Sequence, residues 1–219
     1  MSLIDDSLLR QETTPRVRPQ NVLWVTDLTK PCLRSSFYGI VAKKPYDLEA
    51  LRVFQAGNLL EEYWIRVLRE HPDYEVLGTQ MPAYYYFDDW EIHGRADILA
   101  QHKRGRLMVH EVKSTKSLYF IRKEGGPRQE HIAQVNYYAI MLGLSHGQID
   151  YLDKSALLRG KSVIDASYIV EADSAGFSIF VERAVELAKS LSERSPPPAV
   201  KCWLCDYCLH REECRETGA

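Results

Sequence analysis

The sequence predicts a mixed α/β domain, and three features of its patterning carry that prediction. Residues 48–70 keep apolar side chains at helical spacing, residues 92–99 and 106–113 alternate as strands do, and a second helical run spans 128–143. Helix, strands, helix, strands, helix is the order of a sheet packed between helices rather than of a bundle or a sandwich.

Each element has its own signals. Thr29 ahead of Pro31 is a helix start leading into Cys32–Tyr38. In the long helix, Leu60, Tyr63, Trp64, Val67 and Leu68 share the helical period, and His71-Pro72 stops it. Tyr74–Phe87 is aromatic and β-branched, interrupted by Gly78 and Pro82. Ile92, Gly94, Ala96 and Ile98 then alternate with His93, Arg95, Asp97 and Leu99. After a turn through His102–Gly105, one strand face carries Leu107, Val109, Glu111 and Lys113, and the other Met108, His110 and Val112. Residues 114–128, polar and glycine-containing, predict a loop, and Gly143 ends the next helix. Strands are expected over 149–152 and 163–170, and an amphipathic helix over 177–191. Three segments follow: a flexible arm over 1–22, a core over 23–194, and a cysteine-rich tail over 195–219 entered through the stiff Ser195-Pro-Pro-Pro198. No internal repeat or low-complexity tract is present.

A chain of 219 residues with 45% apolar and 26% charged residues is ordinary for a globular domain. Its net charge of -2 gives no bulk attraction to nucleic acid, so any such contact needs a local basic surface. No stretch has the length and apolarity of a membrane span, and the N-terminus lacks the apolar core of a signal peptide. The default expectation is cytoplasmic, with no membrane partner, where the five cysteines stay reduced and serve better as ligands than as disulfides.

The sharpest chemical feature is Asp97 followed by Glu111-Val112-Lys113. Residues two apart in a strand project together, so Glu111 and Lys113 share a face with apolar Leu107 and Val109, a costly arrangement unless they bind something. A hairpin sets Asp97 opposite Glu111, and paired carboxylates invite Mg²⁺ or Mn²⁺. Such an ion activates water against a phosphodiester, with Lys113 orienting the water or stabilising developing charge. A surface Glu–Lys pair is the plainer reading of this motif alone. On the following helix, Gln134 and Tyr138 stand at i and i+4, placed to contact DNA or to position the lysine. Tyr119 and Phe120, beside Arg122 and Lys123, are candidates for stacking bases and meeting phosphates.

In the tail, Cys202, Cys205, Cys208 and Cys214 have the C-x₂-C spacing of a zinc site, whereas the remote Cys32 suits a cubane cluster that gathers thiolates from distant segments. Spacing alone leaves both open.

In their order, Pro31-Cys32-Leu-Arg34, Gly94-Arg-Ala-Asp97-Ile98, Glu111-Val-Lys113, Gln134-Val-Asn-Tyr-Tyr138 and the terminal cysteines resemble the PD-(D/E)XK nucleases related to the RecB nuclease domain. More closely they resemble the CRISPR-associated RecB-like exonuclease family, the fourth Cas protein in the standard naming, from about residue 25 to 214. The resemblance implies a restriction-endonuclease-like core, a mixed sheet flanked by helices, with a C-terminal iron–sulfur tail. It implies Asp97 and Glu111 as metal ligands, Lys113 as the catalytic lysine, and Gln134 and Tyr138 as a glutamine–tyrosine motif. It further implies a cluster, [4Fe–4S] in most of the family, on Cys32, Cys205, Cys208 and Cys214, with Cys202 as an alternative ligand. The activity implied is trimming of single-stranded DNA or overhangs with Mg²⁺ or Mn²⁺ in CRISPR adaptation, with the Cas integrase and its small companion subunit as partners. One position departs from the pattern: in Gly57-Asn-Leu-Leu60-Glu61-Glu62, Leu60 stands where the family has a histidine ligand. That leaves metal binding to Asp97, Glu111, a backbone carbonyl and Glu61. The alternatives are a DNA-binding subunit with a degenerate nuclease site, a stand-alone repair or viral nuclease, and a zinc-tail adaptor.

Overall fold

The alternation read across 92–113 becomes the centre of a six-stranded mixed sheet in the computed structural model, which describes residues 2–13, 17–160 and 164–216. The strands are β1 (Val22–Trp24), β2 (Tyr74–Phe87), β3 (Trp90–His102), β4 (Leu107–Thr115), β5 (His146–Asp153) and β6 (Asp165–Glu171). β4 runs antiparallel to β3 and parallel to β5, and β6 closes the far edge antiparallel to β5. β1 pairs parallel with the start of β3, while β2 runs antiparallel along the whole of β3 from its other edge. Pro82 is tolerated because β2 is an edge strand, and Gly78 lies at a shift of register, so one strand runs through both interruptions.

Nine helices are described: α1 (Leu3–Thr13), α2 (Val25–Leu28), α3 (Leu33–Val41), α4 (Leu48–Glu70), α5 (Leu118–Lys123), α6 (Gln129–Met141), α7 (Lys154–Leu158), α8 (Ser174–Glu193) and α9 (Arg211–Glu216). The Asp47 carboxylate caps α4 by accepting the Ala50 amide at 2.8 Å. The main core packs α2, α3, α6 and α8 on the sheet through Leu28, Phe37, Val135, Ala139, Phe180 and Leu187. A second cluster lies under α4, where Leu68 and Trp64 cover Ile98 and Ala100. Ile92 and Ala96 belong to the main core but Ile98 and Ala100 to the second, so β3 changes the side it buries at Asp97. Simple alternation along this strand does not foresee that change.

Two expectations are corrected. Residues 3–13 of the expected arm form α1, docked on α4 by the fork from Arg52 to the buried Asp5 carboxylate at 2.9 and 2.8 Å and by buried Leu8. The expected 114–128 loop contains α5, because Leu118 and Ile121 are one helical turn apart and both buried. Val163, the expected first residue of β6, falls in 161–163, outside the described residues, as do 14–16 of the arm and 217–219 of the tail. Among the described residues no helix is long and apolar enough to cross a membrane.

The two ends of the core are tied by arginines to backbone carbonyls. Arg183 on α8 donates to the carbonyls of Leu28 and Lys30, and Arg34 on α3 donates to that of Pro197 at 2.7 Å. Beneath α4 the fully buried Asp150 carboxylate gathers a polar knot. Its Oδ2 meets Trp64 Nε1 at 2.9 Å and His110 Nδ1 at 2.8 Å, and its Oδ1 accepts from Gln148 at 2.7 Å and Ser167 at 2.6 Å. Burial pushes this carboxyl up, but bonds and charge from His110, with Ser167 and Gln148, hold it below its ordinary value of 3.8.

Replacing Asp150 with Ala strands these donors in the core and costs about 3–5 kcal/mol, read as a lower urea midpoint. Because the folded-state pKa is lowered, the carboxylate's contribution is complete above 3.8 and fades as pH falls below it. The gap between wild type and Asp150→Ala therefore holds at neutral pH and narrows in acid.

Candidate active site

The ladder between β3 and β4 reaches Ile98 opposite His110 and goes no further toward the end of β4. One step beyond, the Asp97 carboxylate accepts the Val112 amide at 2.8 Å, replacing the backbone partner that the parting strands no longer supply. This fork opens a cleft of about 1020 Å³ bordered by Asp97, Glu111, Lys113, Gln134 and Tyr138, with Glu61 reaching in from α4. All six residues proposed from the sequence for catalysis or metal binding border this one cavity.

The polar contacts are specific. Lys113 Nζ donates to Glu111 Oε1 at 2.7 Å and to Gln134 Oε1 at 3.0 Å. Gln134 Nε2 donates to the same Glu111 oxygen at 2.8 Å and lies 3.3 Å from the Tyr138 hydroxyl. The glutamine thus ties lysine to glutamate from α6, and Tyr138 steadies the glutamine. Glu61 accepts from Gln80, a residue held at φ 53° on β2.

Burial sets the electrostatics. Asp97 is held well above the usual carboxylate range, by burial first and then by Glu111 and Glu61. Glu61 is likewise raised by burial and by Glu111, against the Gln80 bond. Burial opposes the charge on Lys113, yet Glu111 raises its pKa overall, so the ammonium persists. The Tyr138 phenol is raised by burial and Glu111 and stays protonated. His131 falls to about 3 through burial and the nearby Lys113 and Arg128, so the ring is neutral.

A divalent cation fits these donors. Glu111 Oε2 is buried with no hydrogen-bond partner among the described residues, and three mutually repelling carboxylates share the cleft. No three His, Cys, Asp or Glu side chains among the described residues converge at the distance of a single ion. Mg²⁺ sites commonly use one or two carboxylates, with water and phosphate completing the shell. Leu60 does not border the cleft, whereas Glu61 does, so the departure at Leu60 leaves a carboxylate facing the site.

The cysteines also converge. Cys32 caps α3, and with Cys202, Cys205, Cys208 and Cys214 it borders a second cavity of about 730 Å³. No disulfide joins any of the five. Cys202 is pushed up by burial and by neighbouring Cys205 and Cys32, and Cys208 Sγ lies 3.7 Å from Ser35 Oγ on α3. Among the described residues, no three of these thiols converge as ligands of a single metal ion.

Sequence reasoning missed Arg128 and His131, which border the active-site cleft, and His210, which is buried against Tyr38 beside the cysteines. A turn ahead of the α6 motif places Arg128 and His131 near Gln134, a signal available from helical spacing. Tyr119 and Phe120 are exposed on α5 and do not border the cleft.

Tyr138 depends on a missing side chain. A Cβ on Gly94 would stand 2.5 Å from Tyr138 Cε1 and 2.9 Å from Val25 Cγ2. Gly94→Ala is expected to displace the tyrosine and cost about 1–3 kcal/mol, measured by thermal melting, with Tyr138→Phe restoring little because the clash is with the ring.

A model of the PD-(D/E)XK nuclease superfamily matches residues 16–215. No curated protein sequence matches the chain. Solved structures share the fold, three among them as follows. The crystal structure of SSO0001 is similar at 21% identity, covering 100% of this chain and 98% of that one, with a TM-score of 0.70. The alkaline exonuclease LHK-Exo from Laribacter hongkongensis is similar at 14% identity, covering 86% and 93%, with a TM-score of 0.57. A phage-related exonuclease from Haemophilus somnus 129PT is similar at 15% identity, covering 74% and 82%, with a TM-score of 0.52. A forked strand pair with Asp97, Glu111 and Lys113 at its opening, lying within that match, brings the description to one conclusion: the chain belongs to the PD-(D/E)XK nuclease superfamily.

Proposed function

We propose that the protein is a metal-dependent deoxyribonuclease acting on single-stranded DNA or overhangs. The observation that carries this reading is the buried, unpartnered Glu111 Oε2 beside Asp97 and a charged Lys113. Asp97 and Glu111, with Glu61 as a third donor, would hold Mg²⁺ or Mn²⁺. When bound, such an ion supplies Lewis-acid charge and an acidified water. The protein's own groups do the rest. Gln134 and Glu111 hold the Lys113 ammonium at the cleft, where it donates to a phosphate oxygen as charge develops. Tyr138, protonated and buried, keeps the Gln134 amide from turning. Neutral His131 and cationic Arg128 border the path by which a strand enters.

The family likeness in the motifs also supports an iron–sulfur cluster, [4Fe–4S] in type, on Cys32, Cys205, Cys208 and Cys214, with Cys202 as an alternative ligand. The same motifs support a role in CRISPR adaptation, processing prespacers beside the integrase and its small companion subunit in the cytoplasm.

Degradation of labelled single-stranded DNA with Mn²⁺ by anaerobic preparations tests the central claim. Wild type is expected to cleave, and Glu111→Ala and Lys113→Ala to lose about 10²–10³-fold or more in rate. An inactive, cluster-loaded wild type that still binds DNA would instead establish a binding subunit. The cluster predicts a brown protein with a broad visible band, and iron chelation is expected to lower the thermal midpoint. A colourless, zinc-loaded protein would refute it. Retention of the integrase on co-expression checks the proposed partnership.

A further inference from the structure

The cysteine-rich tail does more than surround its thiols. Its 3₁₀ turn, Trp203–Tyr207, presents Trp203 with 53% of its surface exposed, although tryptophan is costly to leave in water. The Arg128 guanidinium carbon lies 6.0 Å from the centre of that indole. Between them opens a small pocket of about 210 Å³ bordered by Lys30, Lys113, Arg128, His131, Gln134 and Trp203. Four of these also border the active-site cleft, so the pocket is its lateral extension toward the tail.

The donors suit a phosphodiester backbone. Tyr151 Oη accepts the Arg128 amide at 3.3 Å and lies 2.7 Å from His131 Nδ1. Lys30 and Arg128 add positive charge, against the single carboxylate on this rim, Glu130. An aromatic plane beside cations is the recurring way to hold one strand without regard to sequence.

We infer that Trp203, Arg128 and Lys30 form a nucleotide subsite for single-stranded DNA next to the scissile phosphate, with a base stacked on Trp203 and the backbone held by the two cations. The inference rests on the nuclease reading above and makes the tail part of the substrate-binding surface.

Binding of a fluorescent oligothymidylate by the full, cluster-loaded protein without Mg²⁺ or Mn²⁺, followed by anisotropy, tests it, paired with cleavage kinetics in Mn²⁺. Trp203→Ala is expected to weaken binding about 5- to 150-fold and to raise KM more than it lowers kcat. Trp203→Phe should keep most of the affinity, and Arg128→Ala should reduce the slope of log affinity against log salt by about 1. Thermal midpoint and visible spectrum should not change in Trp203→Ala. Equal binding by wild type and Trp203→Ala, with cleavage intact, overturns the subsite and leaves the nuclease reading standing. Equal losses in Ala and Phe variants with a lowered thermal midpoint also overturn it, in favour of a structural tryptophan. A wild type that neither binds nor cleaves overturns both.

Discussion

The hydrogen bond from the Val112 amide to the Asp97 carboxylate is the constraint on which the site depends. Where β3 and β4 part, one amide loses its sheet partner, and leaving it unsatisfied in a buried place is expensive. Asp97 meets that need with one oxygen and is thereby fixed in position. Beside the same fork, Glu111 and Lys113 of β4 border the cleft. One carboxylate therefore ends the sheet pairing and furnishes the cleft at once.

The floor of the cleft is held from two sides. Gln134 and Tyr138 descend from α6 on the main-core side, where Val135 and Ala139 fix the helix. Glu61 comes from α4, whose position is set three residues later by Trp64 on the buried Asp150. The Asp150 knot thus lies under the helix that carries Glu61, although it takes no part in the cleft. This arrangement explains why His110, Gln148 and Asp150 are buried there despite their desolvation cost: they fix one helix at one height over the sheet.

Much of this was legible in the residues. The period of 48–70 and 128–143 foretold α4 and α6 almost to their ends, since both carry continuous apolar stripes and clear stop signals. Strand parity foretold that Glu111 and Lys113 share a face, and helical spacing that Gln134 and Tyr138 do. What was not legible depends on distant parts of the chain. α1 is mostly polar, and the Arg52 side chain that docks it lies far along the sequence. In α5 the apolar residues Leu118–Ile121 stand in one unbroken row that shows no helical period, and only Leu118 and Ile121 of them are buried. The reversal of β3 at Asp97 lies beside Gln80, held at φ 53° on β2, a conformation that no alternation in β3 itself records.

Arg34 binding the Pro197 carbonyl has a bearing on how the tail acquires whatever its thiols hold. Cys32 and the terminal cysteines are separated by nearly the whole chain, and closing so long a loop carries an entropic penalty that grows with the logarithm of its length. Here that penalty is opposed by ordinary protein contacts: the Arg34 bond to the Pro197 carbonyl and three successive prolines that confine the tail's direction. Cys32, Cys202, Cys205, Cys208 and Cys214 thereby come to border one cavity. Whatever the thiols hold, the polypeptide itself sets where they gather, so a change at Arg34 or in the prolines alters the site without touching a cysteine.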